Sequence, residues 1–453
     1  MKRLKLSILG IRGVVGEALT PELVVTFAQA FGTYVEGGPI FVSRDTRPSG
    51  EMIRSGVIAG LLATGYEVID LGVCPTPAME LAVKRHGGAG GIAITAGHNP
   101  SDWNALKFIN GDGRVLSAYQ GEELLDVVHQ GEFTRAAWDG LKPLRRESYA
   151  VPEYVSALVE LLDVDAIRKR RFKVAVDVCN GACTTSTMLF LHALGCEAVS
   201  INDEPGRPFP HDPEPNPDNM SQLRAMVRAS GADVGFALDA EGSRLGIVTE
   251  MGDALSEEYT LCIAADIVLG GGCGCVVTNV CTTSSVEDIA RRHGARVERA
   301  KVGEPHIVEA MLFNDACLGG EGSGGVVLPR LNHTFDSTAT MGGILAHMAR
   351  TGRPISALAA AVPRHSMVKE RIPCPPERAP AVMARVREMV EEQPEAGRVD
   401  LTDGIRQDRG EAWVHVRPSM TEPTLRVIAE APTTAEARAL ADETSSQVRR
   451  FLV

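Results

Sequence analysis

Short apolar runs alternate along most of this chain with amphipathic stretches of helix length, and that alternation demands a layered α/β fold with buried, mixed or parallel sheets. Thr20-Pro21-Glu22 is a helix start, with an N-cap threonine and proline at the first helical position; Gly37-Gly38 should end that helix. Strands are expected at Pro39–Ser43, Glu67–Leu71 and Ile92–Ala96, with helices at Ser49–Thr64 and Ala78–Arg85 between them. The order recurs: a strand at Phe172–Val178, a helix ending at Gly195, a strand at Glu197–Ile201, a helix at Met220–Ala229 and a strand at Val234–Leu238. A third round begins near Gly252 with a helix through Leu269. The strand Val276–Val280, the helix Ser284–His293 and the strand Arg296–Lys301 follow. These are repeats of architecture and do not align as sequence repeats. Residues 203–217, rich in Pro, Asp and Glu, read as an irregular loop. Past Val368 the composition changes: Pro373-Cys-Pro-Pro376 reads as a linker, and a smaller α+β unit follows.

The chain has 453 residues and 44% hydrophobic composition, enough for several cores. A net charge of −12 argues against an extended nucleic-acid or acidic-membrane surface, so any anionic ligand would need a local basic pocket. No apolar run approaches the roughly 20 residues needed to span a bilayer. The basic-then-apolar N-terminus, Met1 to Gly10, is too short in its apolar part for a signal peptide. A cytoplasmic location is expected, with no membrane or nucleic-acid partner and a monomer or homodimer as the assembly. Of ten cysteines, Cys273, Cys275 and Cys281 are close in sequence, but no second pair completes a zinc-like spacing. Reduced, mostly buried cysteines are expected.

Five segments carry candidate chemistry. Gly10-Ile-Arg-Gly13 is a turn with one cation, Arg12. Thr95-Ala-Gly-His-Asn-Pro100 is a tight polar loop after a strand, with Lys107 ten residues beyond Gly97. Asp239-Ala-Glu-Gly-Ser-Arg244 places two carboxylates and a serine hydroxyl on a short loop after the strand Val234–Leu238. Gly319-Gly-Glu-Gly-Ser-Gly-Gly325 is a glycine-rich loop presenting Glu321 and Ser323, with His333 following. Arg417-Pro-Ser-Met-Thr-Glu-Pro423, with Arg426, makes a short-range anion cradle of arginine, hydroxyls and backbone N–H groups.

In this order, and with Ser43–Arg47 and Pro75-Thr-Pro77 agreeing, the five segments resemble the α-D-phosphohexomutases over nearly the whole chain. The double-glycine loop is most similar to the archaeal-type phosphoglucosamine mutase and phosphomannomutase branch. The resemblance implies three related mixed-sheet α/β domains, at 1–150, 151–252 and 253–368, and a smaller C-terminal α+β domain at 369–453, around a central cleft. It implies interconversion of sugar 1- and 6-phosphates of a hexose or aminohexose, through a phosphoserine. Arg12, His98 and Lys107 stand where the family keeps its catalytic groups, Lys107 and Arg12 as acid/base and charge stabiliser. Asp239, Glu241 and Ser243 occupy the Mg2+ ligand positions. Arg244, Lys301, Glu321, Ser323 and His333 match substrate-binding positions, and Arg417, Ser419, Thr421 and Arg426 those gripping the phosphate that is not transferred.

The chain departs from the pattern where the chemistry is concentrated. Gly97 stands at the phosphoserine position, Glu241 and Ser243 replace two aspartates, and Met420 replaces Gly or Asn. Three readings follow. A neighbour (Thr95, His98 or Ser101) replaces the nucleophile, although in-line transfer tolerates little displacement of the attacking atom. Alternatively, the protein binds phosphosugars or regulates without turnover. In the third reading, Arg12, Lys107 and Arg244 stabilise charge in another reaction on a phosphorylated sugar.

Overall fold

The computed structural model describes residues 4–7, 10–392, 397–419 and 423–452. In the first sheet, strands Ile40–Arg44, Val68–Val73 and Gly90–Ile94 run parallel and Trp103–Asn110 returns antiparallel beside Gly90–Ile94. The hairpin Leu4–Ser7/Gly10–Val14 extends the sheet beyond Trp103–Asn110, and Leu144–Arg146 extends it beyond Val68–Val73. The second sheet has parallel Lys173–Asp177, Glu197–Ile201 and Val234–Leu238, with Leu245–Thr249 antiparallel. The third has parallel Cys275–Asn279, Arg296–Ala300 and Leu318–Gly320, with the short Val326–Val327 antiparallel.

All three share one spatial order: second strand, first, third, then the antiparallel return. The connection between the third strand and the return therefore falls at equivalent places in the three sheets. It carries residues 95–102, 239–244 and 321–325. Loops at the carboxyl ends of such strands are where open α/β sheets bind ligands. The C-terminal unit is a five-stranded antiparallel sheet, in the order Ser366–Pro373, Thr424–Ala431, Ala412–Pro418, Ile405–Arg409 and Arg398–Asp400. Helices Ala379–Glu391 and Thr434–Leu452 accompany it. One apolar core is continuous from Phe41 and Met79 through Phe236 to Leu318 and Leu345, while the C-terminal sheet has its own core around Val427 and Val448.

The expected elements agree with the structure in kind, with differences that have physical causes. Thr20 caps the first helix through its side chain, but the helix Pro21–Tyr34 ends at Val35, whose extended backbone stops it before Gly37. Pro373 closes an edge strand opposite Thr424, so Pro373–Pro376 lies inside the C-terminal unit and not at its entrance. The crossing falls between the helix Ile355–Ala361 and Ser366. The expectation of reduced cysteines fails at one pair: Cys273 and Cys317 are disulfide-bonded, with Cα atoms 6.4 Å apart. Each stands just before one of two adjacent parallel strands, paired Val276 to Leu318, and that register brings the sulfurs together across 44 residues of sequence. The other eight cysteines are free, six of them buried. Among the described residues no helix is long and apolar enough to cross a membrane.

Candidate active site

The loop after Gly90–Ile94 turns at Gly97, whose φ of +55° is a conformation L-residues avoid. Its shape is set from beneath. The fully buried Arg47 donates to the carbonyl oxygens of Gly97 at 2.8 Å, Asn99 at 2.7 Å, Pro100 and Trp103. Asp45 holds Arg47 in turn and accepts from Thr95 Oγ1 at 2.7 Å, and Thr95 Oγ1 accepts from the N–H of Gly97 at 3.0 Å. Asn99 Oδ1 accepts from Arg12 at 2.8 Å.

The 239–244 loop faces Gly97 from the second sheet. Asp239 Oδ1 accepts the N–H groups of Gly242, Ser243 and Arg244, which ties the loop into a tight turn. Asp239 Oδ2 lies 2.7 Å from Ser243 Oγ, and Glu241 Oε1 lies 2.9 Å from the same hydroxyl. Glu241 Oε1 also accepts from Lys107 Nζ at 2.5 Å, and Glu241 Oε2 from Thr76 Oγ1 at 3.1 Å. A side chain on Gly97 would have to begin 2.9 Å from Glu241 Oε1. The Glu241 carboxylate thus occupies the space in front of residue 97.

The electrostatics follow from this packing. Burial pulls the Lys107 ammonium toward neutrality, but Glu241 and Glu304 more than offset it and hold Lys107 charged. Burial raises Glu241, and the Lys107 pair outweighs it and holds the carboxyl below its usual value. Burial, followed by the nearby Glu241 charge, raises Asp239. Arg12 is pulled down to about 10 by burial, with Arg244 and Arg47 adding to the effect and Glu241 opposing it. His98, half-buried, is held well below its ordinary value by desolvation and then by Arg244, Arg12, Arg426 and Lys107. Its imidazole is therefore neutral near pH 7, within a collar of four cations.

In the third sheet's loop, Glu321 is buried and accepts the Gly303 N–H at 2.6 Å, while the Ser323 hydroxyl is buried with no hydrogen-bond partner among the described residues. An antiparallel bridge between Arg244 and Gly325 joins this loop to the 239–244 loop. In the C-terminal sheet, Arg371, Arg426 and Arg417 stand opposite one another on three adjacent strands. Arg417 is buried, 3.7 Å from Asp403, and its Nε makes no hydrogen bond among the described residues. Ser419 is buried beside it. Thr421 and Met420 lie outside the described residues. Lys301 is exposed near His306, and the charged neighbours of His333 are Arg114 and Lys84 of the first sheet's unit.

The donor set at 239–244 does not fit Mg2+. All four carboxylate oxygens of Asp239 and Glu241 already sit within hydrogen-bond distance of donors, and Ser243 contributes no charge. Two carboxylates, Asp239 and Glu241, face three cations, Lys107, Arg12 and Arg244, so cations already outnumber anions before any ion enters, whereas a hard divalent ion is held by an excess of anionic oxygen.

Several site residues escaped the sequence reading. Thr76, at the start of the helix Thr76–Arg85, anchors Glu241 through its side chain and its N–H. Glu214 of the 203–217 loop pairs with Arg244 at 3.2 Å, and Phe209 of the same loop covers Arg47 at 5.0 Å. Glu80 and Glu304 lie buried near Lys107. The Pro75-Thr-Pro77 and Ser43–Arg47 motifs were visible signals for Thr76 and Arg47. The loop contacts and the arginine row need a tertiary register.

All four parts of the chain match one family. The phosphoglucomutase/phosphomannomutase alpha/beta/alpha domains I, II and III match residues 5–135, 152–252 and 256–365, and that family's C-terminal domain matches 369–447. A phosphoglucomutase/phosphomannomutase of Thermococcus kodakarensis is 37% identical over 95% of this chain and 95% of its own. A probable phosphoglucosamine mutase of Methanopyrus kandleri is 35% identical over 97% of each. The crystal structure of a phosphoglucomutase/phosphomannomutase family protein from Burkholderia thailandensis superposes with a TM-score of 0.86 at 26% identity, covering 98% of this chain and 97% of that one. With four domains in family order and relatives matched end to end, this chain belongs to the phosphoglucomutase/phosphomannomutase family of the α-D-phosphohexomutase superfamily.

Proposed function

We propose that this protein binds a hexose or aminohexose phosphate in the family's cleft without passing the phosphoryl group through residue 97. The observation that carries the reading is the Glu241 carboxylate, paired with Lys107 and lying 2.9 Å from where a side chain on Gly97 would begin. A nucleophile is missing, its space is filled, and the lysine in the acid/base position is engaged. What remains is recognition. Residues 369–453 grip a phosphate through Arg417, Ser419, Thr421 and Arg426; residues 253–368 meet sugar hydroxyls through Glu321 and Ser323. Residues 1–150 and 151–252 supply Arg12, His98, Lys107 and Arg244 as a cationic collar. Lys301 and His333 complete the recognition set if the cleft closes on its ligand. The protein acts as a phosphosugar sensor or regulator in the cytoplasm, alone or as a homodimer. A different reaction on the same ligand, with charge stabilised by the collar, is the second reading; the neutral His98 favours it as the one uncharged base among those cations.

Calorimetric titration with glucose, mannose and glucosamine 6-phosphates tests the binding. At least one should bind, and Arg417→Ala should weaken it more than about tenfold, ~1.4 kcal/mol. Absence of binding to all of them refutes the reading.

A further inference from the structure

We infer that the Lys107 ammonium takes the place of a divalent cation in this cleft, so that a phosphorylated ligand is held without a metal ion. The inference rests on the phosphosugar-binding reading for its ligand, but not for its geometry. Lys107 Nζ lies 2.5 Å from Glu241 Oε1, the same oxygen that lies 2.9 Å from Ser243 Oγ. Thr76 Oγ1 holds the other oxygen at 3.1 Å, which fixes the carboxylate toward the lysine. A glutamate carries its carboxylate one methylene farther than an aspartate, and here that reach ends on Lys107. Lys107 itself is placed by its strand, Trp103–Asn110, where it pairs with Ala93.

The charges agree with this assignment. Asp239 spends one oxygen on three backbone N–H groups, so its charge goes into shaping the loop. A divalent ion entering here would share Glu241 Oε1 with an ammonium and would add two charges beside Arg12 and Arg244, a repulsion strengthened by burial. With Lys107 in place, the collar retains an excess of positive charge facing His98, which suits a phosphate dianion directly. A tethered ammonium cannot be chelated away, so the ligand's affinity should not depend on free Mg2+.

Two measurements on the intact protein test this. The first adds Mn2+ alone and reads the free ion by electron paramagnetic resonance. The expected result is no retention, and stoichiometric retention would overturn the inference. The second titrates glucose 6-phosphate in excess EDTA and again in millimolar Mg2+. The two Kd values should agree within about twofold, and a tightening by Mg2+ of more than about tenfold would also overturn it. Lys107→Met should weaken binding in EDTA by more than about tenfold and recover part of it in Mg2+; an unchanged affinity contradicts the inference. Should Lys107→Met fail to fold, the Mn2+ measurement on the wild type still decides. Failure of glucose, mannose and glucosamine 6-phosphates alike to bind under either condition refutes the functional reading, while the Mn2+ result judges Lys107 separately.

Discussion

Arg47 donates to the carbonyl oxygen of Gly97 at 2.8 Å, and the same guanidinium holds the carbonyls of Asn99, Pro100 and Trp103. The loop is therefore shaped by a buried arginine, independently of what stands at residue 97. Arg47→Ala should cost about 3–5 kcal/mol, because it leaves Asp45 buried and unpaired along with several carbonyls. Arg47→Lys should recover little of that, since an ammonium cannot reproduce the planar fork. Denaturant unfolding reads the cost, and hydrogen exchange should show lost protection at residues 97–103.

Residue 97 itself is strained against any side chain. Gly97→Ala should destabilise by about 1–2 kcal/mol from its left-handed backbone alone, with the push on Glu241 in addition. Gly97→Ser alone should not accept phosphate. Gly97→Ser with Glu241→Asp and Ser243→Asp shortens the obstructing side chain and restores three carboxylates. That triple variant should become phosphorylated by a hexose 1,6-bisphosphate, a non-additive gain read by intact-mass spectrometry.

Gly322 has a different reason to be glycine. A side chain there would overlap the Glu258 carboxylate, which accepts from Lys369 at 2.8 Å and from the Thr283 N–H at 3.1 Å. Lys369 belongs to the C-terminal sheet, so this pair braces the Glu321 loop from another domain. Gly322→Ala should cost about 1–3 kcal/mol through overpacking. On a Glu258→Ala background most of that cost should vanish, which a double-mutant cycle measures as coupling.

Glu80 is fully buried and neither carboxylate oxygen makes a hydrogen bond among the described residues; the nearby Thr334 hydroxyl goes to Glu304 instead. Burial, and then the Glu304 charge, raise Glu80 well above the usual carboxylate range. The folded state thus binds this proton more tightly than the unfolded chain. The associated stability is present below the unfolded value of about 4.3 and is lost as pH rises toward the raised folded value. Glu80→Gln should match the wild type near pH 4. It should gain on the wild type by up to about 1.4 kcal/mol per pH unit above that, read as melting temperature against pH. A constant difference across the range would contradict the account.

The three rounds of strand and helix were legible because their apolar runs are short and capped by glycines; Glu197–Ile201 and Val234–Leu238 agree at both ends. The antiparallel returns were not. Val326–Val327 is two residues long, and Leu245–Thr249 follows directly on a loop whose chemistry attracts attention first. The motifs identified the Gly97 loop and the 239–244 loop, since those contacts lie within or just beside the quoted residues. Sequence could not supply the Lys107–Glu241 pair, 134 positions apart, or the Arg371–Arg426–Arg417 row, which exists only once the strands are in register. The Cys273–Cys317 bridge escaped for the same reason.

Under the proposed function, recognition persists here without phosphoryl relay. The most direct test is ³¹P NMR of the purified protein with glucosamine, mannose and glucose 1-phosphates, a hexose 1,6-bisphosphate activator and Mg2+. The account predicts that no 6-phosphate signal grows and that the protein gains no phosphoryl group. Steady appearance of a hexose 6-phosphate would contradict it and would direct attention to Thr95, His98 or Ser101 as the acceptor.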